Sequence, residues 1–185
     1  KGVEPFAGRS AIISQATELL NAYYPNLRDA AIPVGVEYSL TNHHLLLEDI
    51  WVTGKFDRID PIDATARTVR IIDYKTGSQA KTRNDIEGKT KSSDGRLREQ
   101  LVFYSLLTSL DRHFPYIAAE FSLLFLDDAH TFREETFRVG ADEREALGRD
   151  VATTYREILS QTEFNHTRTE FDRGCEVCEL FRDLS

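Results

Sequence analysis

Apolar residues recur at three- and four-residue steps between Arg9 and Tyr24, at Ile12, Ile13, Ala16, Leu19, Leu20 and Tyr23. That spacing lays one apolar face along a helix, and Pro25 with Asn26 is expected to end it. The pattern then changes. Val34, Val36 and Tyr38 alternate with polar neighbours from Pro33 to Leu40, which predicts a strand. A second extended stretch runs from about Leu45 to Ile59, with Val52, Gly54 and Phe56 facing one way and Thr53, Lys55 and Asp57 the other. Pro61 to Ala66 reads as a turn, and Thr68 to Lys75, rich in β-branched residues, as a third strand.

Thr76 to Gly95 is polar and carries Gly77, Gly88 and Gly95, so it is expected to be a loop. Its length suggests function or mobility. Leu97 to Leu110 is mostly apolar, as a buried helix is. Phe121 to Leu126 and Thr131 to Val139 predict a hairpin, and Asp142 to Gln161 a final amphipathic helix with Asp142 as its cap. The order of elements predicts an α/β fold on one mixed sheet. The links between the first three strands are too short for a crossover helix, so those strands are expected to form an antiparallel meander.

Composition adds bounds. A chain of 185 residues, 41% hydrophobic and 29% charged, suits one globular domain, 1–185. It has no apolar run long enough to span a membrane and no signal-peptide stretch at its start. There is no Met, and the chain is read as a piece of something longer. The two cysteines, Cys175 and Cys178, do not indicate a disulfide framework, so a reducing cytoplasm is expected.

The net charge of −8 argues against gripping nucleic acid by charge alone. The charge is uneven, however. From Lys75 to Arg98 there are seven basic residues (Lys75, Lys81, Arg83, Lys89, Lys91, Arg96, Arg98) against three acidic ones, a local +4. An acidic body with a basic loop fits a metal site beside a phosphate path; a solvated loop is the alternative.

The chemistry concentrates in Gly54–Asp60, "GKFDRID", and Ile71–Gly77, "IIDYKTG". Asp73 and Lys75 stand two apart on a strand and so share a face. A hairpin around Pro61–Ala66 brings Asp57 to them. Two adjacent carboxylates repel, and a divalent cation relieves that conflict. Mg²⁺ takes one or two carboxylates, water and phosphate oxygens. An ammonium beside it can stabilise developing negative charge. Asp57, Asp73 and Lys75 are thus a minimal kit for phosphodiester hydrolysis. The alternative is a surface hairpin with ordinary ion pairs.

The two blocks, followed on the next helix by Gln100–Leu101–Val102–Phe103–Tyr104, resemble the RecB-like branch of the PD-(D/E)XK nucleases, the modules joined to UvrD- and RecB-type superfamily 1 helicases. The resemblance covers roughly Val34 to Leu126. It implies a restriction-endonuclease-like core, a central mixed sheet flanked by helices. It implies Mg²⁺ or Mn²⁺ held by Asp57, Asp73 and the Tyr74 carbonyl. Lys75 matches the catalytic lysine, and Gln100 and Tyr104 match the supporting helix motif, on one face at i, i+4. The implied partners are DNA, single- or double-stranded, and helicase domains of the same parent chain, with no membrane. The implied role is a DNA nuclease in repair or recombination. A catalytically impaired module that binds DNA or docks helicase domains is the alternative.

Two departures bear on this. Relatives place a metal-binding His on a helix before the first strand, and Arg9 to Tyr24 has none. His43 and His44 are read as exposed turn residues, and Glu37 as facing outward. Some relatives also close an iron–sulfur cluster with C-terminal cysteines. Here Leu184 stands in the third place, and two thiolates do not fill a four-cysteine shell, so no cluster is expected.

Overall fold

The structure, a computed structural model, describes residues 9–28, 30–77, 79–127 and 130–161. Two compact units divide the chain, Lys1–Ala152 and Thr153–Ser185. The sheet and the site lie in the first. The described part of the second, residues 153–161, comprises the last turns of the final helix and Gln161.

The first helix, α1 (Arg9–Arg28), runs one turn further than its sequence predicts, with Pro25 inside it. Proline removes one amide donor but its fixed φ is helical, so a last turn can still form beyond it. The first strand, β1 (Gly35–Ser39), falls where the alternation places it.

The stretch from Leu45 to Ile59 is not one strand. It breaks into β2 (Leu45–Leu47), β3 (Ile50–Val52) and the start of β4 (Lys55–Asp63). Glu48 and Asp49 turn the chain between β2 and β3, with Glu48 at φ 55°. The pair forms a separate two-stranded sheet whose buried side chains are Leu45, Leu47 and Ile50. An acidic residue in the left-handed region gives no glycine or asparagine signal, so the break is silent in the sequence.

Strand β4 continues through Pro61 to Asp63, with an irregularity at Pro61, and the turn falls at residues 64–67. There Asp63 Oδ1 accepts the amides of Thr65 and Ala66. Strand β5 (Thr68–Gly77) returns antiparallel. The polar loop that follows contains a one-turn helix, α2 (Arg83–Ile86), started by a reciprocal cap between Thr82 and Asp85 and anchored by the fully buried Ile86.

Helix α3 (Arg96–Leu110) then crosses over to β6 (Ile117–Asp127), which lies parallel to β5. Strand β7 (Glu134–Phe137) pairs antiparallel with β6, and α4 (Ala141–Ser160) ends the described chain. Asp142 lies inside the first turn of α4 and is not its cap. Glu143 reaches back to the Gly140 amide instead.

The sheet order is β1-β4-β5-β6-β7, a mixed five-stranded sheet with helices packed on it. It is the expected α/β, restriction-endonuclease-like architecture. Strand alternation decides what each face carries. Ile59, Ile71 and Leu123 pack against Leu101, Tyr104 and Leu107 of α3. Ile72, Leu124 and Leu126 pack against Tyr23 of α1. No helix among the described residues is long and apolar enough to cross a membrane.

Candidate active site

On the α3 side of β5, the apolar run of Val69 and Ile71 gives way to Asp73 and Lys75. Asp73 is 4% exposed. A buried carboxylate needs partners, and α3 brings them. Tyr104 Oη donates to Asp73 Oδ1 at 2.6 Å, and Gln100 Nε2 donates to the same oxygen at 3.0 Å. Gln100 Nε2 also lies 3.0 Å from Tyr104 Oη. Lys75 Nζ donates to Gln100 Oε1 at 2.6 Å and lies 2.7 Å from Asp73 Oδ2.

The Gln100 amide is therefore a bridge with a fixed direction. An ammonium only donates and a carboxylate only accepts, so Oε1 must face Lys75 and Nε2 must face Asp73. Burial, and after it the bond to Asp73, push the Tyr104 hydroxyl well above the ordinary phenol range, so it stays a neutral donor.

Asp57 joins from β4. Its Oδ2 accepts the backbone amide of Tyr74 at 2.9 Å, one residue along from Asp73. The six residues singled out by sequence thus occupy one end of the β4–β5 hairpin and the helix that covers it. Tyr74 contributes its amide there.

Asp73 Oδ2 tests the fit for a cation. It is buried and has no hydrogen-bond partner; the Lys75 ammonium is close but not aligned to donate. Such an oxygen, beside a second carboxylate, suits a hard cation with oxygen ligands such as Mg²⁺ or Mn²⁺. Among the described residues no group of three or more His, Cys, Asp or Glu gathers to form a cage. A cation here would need substrate or solvent oxygens to complete its shell.

Beside Lys75 opens a cleft of about 320 Å³ lined by Lys75, Gln79, Lys81, Leu97, Phe125 and Asp127, among others. Much of the basic stretch is already engaged within the chain. Arg83 stacks on Phe137 at 4.1 Å and donates to the Thr136 carbonyl at 3.1 Å. Arg98 forks onto Glu143 at 2.7 Å and covers the other part of the same ring. Lys89 pairs with Glu87 and Arg96 with Asp94. Lys81 and Lys91 enter no ion pair with the described residues, and Lys81 faces the cleft.

Residues set aside by sequence lie apart from these hydrogen bonds. Glu37 is exposed and pairs with Lys55, as an outward glutamate would. His44 is exposed. His43 is not a free turn residue: its Nδ1 lies 2.7 Å from Oδ2 of the buried Asp111, which holds the ring in place. Cys175 and Cys178 lie outside the described residues. Sequence reasoning passed over Arg58, which is buried and paired with Asp60 at 2.6 Å. The available signal was an Arg and an Asp two apart on one strand, hence on one face.

A family model described as the PD-(D/E)XK nuclease superfamily matches residues 6–182. No curated protein matches the chain.

Proposed function

The chain belongs to the PD-(D/E)XK nuclease superfamily, and from that premise we propose that it hydrolyses phosphodiester bonds of DNA with Mg²⁺ or Mn²⁺. The observation that carries this reading is the Asp73 carboxylate. One oxygen is gripped by Tyr104 and Gln100, and the other is buried, without a hydrogen bond, next to Lys75. Oδ2 meets only the Lys75 ammonium and keeps lone pairs for a cation.

Asp57, Asp73 and the Tyr74 carbonyl would hold the ion. When bound, it supplies Lewis-acid stabilisation of the charge that grows on the phosphate. The remaining tasks belong to the chain. Tyr104 and Gln100 fix the orientation of Asp73. Lys75, steered by Gln100 Oε1, presents its ammonium to the attacking water and to the developing charge. Lys81 extends the positive lining of the adjoining cleft along which a phosphate backbone would run.

The resemblance to modules joined to superfamily 1 helicases supports a place at the C-terminus of such an enzyme in DNA repair or recombination. The test incubates the full parent chain with single- and double-stranded DNA, and RNA in a parallel arm, with Mg²⁺ or Mn²⁺. Lys75→Ala should cut the rate by about 10²–10³ and leave Mn²⁺ binding by calorimetry nearly unchanged. Asp73→Ala should lose the metal. Unchanged cleavage by Lys75→Ala would end this mechanism. Metal-independent DNA binding without cleavage would favour the docking module instead.

A further inference from the structure

We propose that Arg58 and Tyr74 form a clamp on the face of the sheet opposite the active site, which sets the spacing between Asp57 and Asp73; this rests on reading those two carboxylates as the metal-holding pair.

Tyr74 directly follows Asp73, so strand alternation sends it through to the far face, and Arg58, directly after Asp57, lies there beside Tyr23, Ile72 and Leu124. The backbone ladder between β4 and β5 ends at the pair Arg58↔Ile72. Beyond it, where Asp57 and Asp73 stand, no backbone pairing of the two strands fixes their separation. Two side-chain bonds take over at that point, and both end on Tyr74. On the near face its amide donates to Asp57 Oδ2 at 2.9 Å. On the far face Arg58 Nη1 donates to its hydroxyl at 3.4 Å.

Arg58 is built to hold still. It is 6% exposed, its Nε donates to Asp60 Oδ1 at 2.6 Å, and its Nη2 donates to the Ala31 carbonyl at 3.3 Å. Tyr74 is braced in turn by Tyr23 of α1, edge-on at 6.4 Å between centroids. Asp60 and Ala31 take two of the five N–H donors of the guanidinium. The third bond crosses to β5 at the place where the ladder stops. Arg58 and the Tyr74 hydroxyl are therefore positioning residues, acting on the carboxylates through the strands and touching neither the phosphate nor the ion.

Tyr74→Phe deletes one oxygen and keeps the ring against Tyr23, and Tyr23→Phe controls for the bond between the two tyrosine side chains. The full chain is compared with Tyr74→Phe, Arg58→Lys and the double variant. Without metal, amide hydrogen exchange at residue 74 should quicken about tenfold in each, the scale of one lost hydrogen bond. With Mn²⁺, the calorimetric dissociation constant should rise about tenfold, and saturating Mn²⁺ should restore most of the cleavage rate. The double variant should be no worse than either single one, as expected when both break one link. A purely structural role would lower the melting temperature and leave exchange at residue 74 and Mn²⁺ affinity per folded molecule at wild-type values; that result overturns the clamp. Wild-type protein that binds no Mn²⁺ would overturn the metal reading instead, and exchange at residue 74 would still decide the geometry.

Discussion

Gln100 is the only side chain in the site that touches a cation and an anion at once. It accepts from Lys75 and donates to Asp73. That double contact distinguishes it from a buried polar group that merely meets its own hydrogen-bonding needs. Replacing it with alanine in the full parent chain frees the ammonium to swing and leaves Asp73 on Tyr104 alone. The expected outcome is a fall in cleavage rate per folded molecule of about 10², with only a modest drop in melting temperature. A wild-type rate in the folded fraction, with stability sharply reduced, would make Gln100 a fold residue. This part of the site was legible in the sequence because two periodicities carry it. Residues two apart on a strand share a face, and residues four apart on a helix share a face. Asp73 with Lys75 and Gln100 with Tyr104 need nothing more. Arg58 was legible only as a possible partner of Asp60, two residues along the same strand; its burial shows once the opposite face of the sheet is seen to be covered.

Helix α3 must lie close to the sheet for Gln100 and Tyr104 to reach Asp73, and Gly54 allows that approach. A Cβ at residue 54 would come within 2.5 Å of Leu107 Cδ1, and Leu107 is itself fully buried. Gly54→Ala should therefore force α3 outward or Leu107 off its rotamer, at a cost of about 1–3 kcal/mol. Because the helix carries Gln100 and Tyr104 with it, the cleavage rate per folded molecule should fall as well. Gly77→Ala is the matching control. A Cβ there meets nothing within 4 Å, so its stability should stay within about 0.5 kcal/mol of wild type. Equal melting temperatures for the two variants would remove Gly54 from this role. At this scale the sequence was less complete. The strands and helices with sustained periodicity were placed, whereas the β2–β3 break and α2 were missed. The first turns at a glutamate in the left-handed region, and the second is a single turn held by Thr82, Asp85 and one buried isoleucine. Neither offers enough residues for a periodic signal.

Across the whole molecule, the local excess of positive charge is smaller in effect than in count. Arg83, Lys89, Arg96 and Arg98 are tied to carboxylates of the same chain, and Arg83 and Arg98 also enclose the Phe137 ring. Neutralising Lys81 and Lys91 together should weaken DNA binding and reduce the slope of log K against log salt by about 2, with no change in melting temperature. Arg83→Ala should instead lower the melting temperature and leave the salt slope close to wild type. Should Arg83→Ala alone abolish the salt dependence, the phosphate path runs over α2. Linear counting of charge could not separate these roles for Arg83 and Arg98, since they also pair with Glu135 and Glu143, which lie far along the chain.

The β2–β3 hairpin has a last consequence, for connectivity. It is an excursion inserted between β1 and β4, two strands that are neighbours in the sheet without it. All five site residues, Asp57, Asp73, Lys75, Gln100 and Tyr104, follow it on an unbroken run of chain. A nick between Glu48 and Asp49 would therefore leave the whole candidate set on a single polypeptide, with the severed piece contributing α1, β1 and β2. The candidate set thus lies on one contiguous segment, braced from before the hairpin by Tyr23 against Tyr74 and by the Ala31 carbonyl on Arg58.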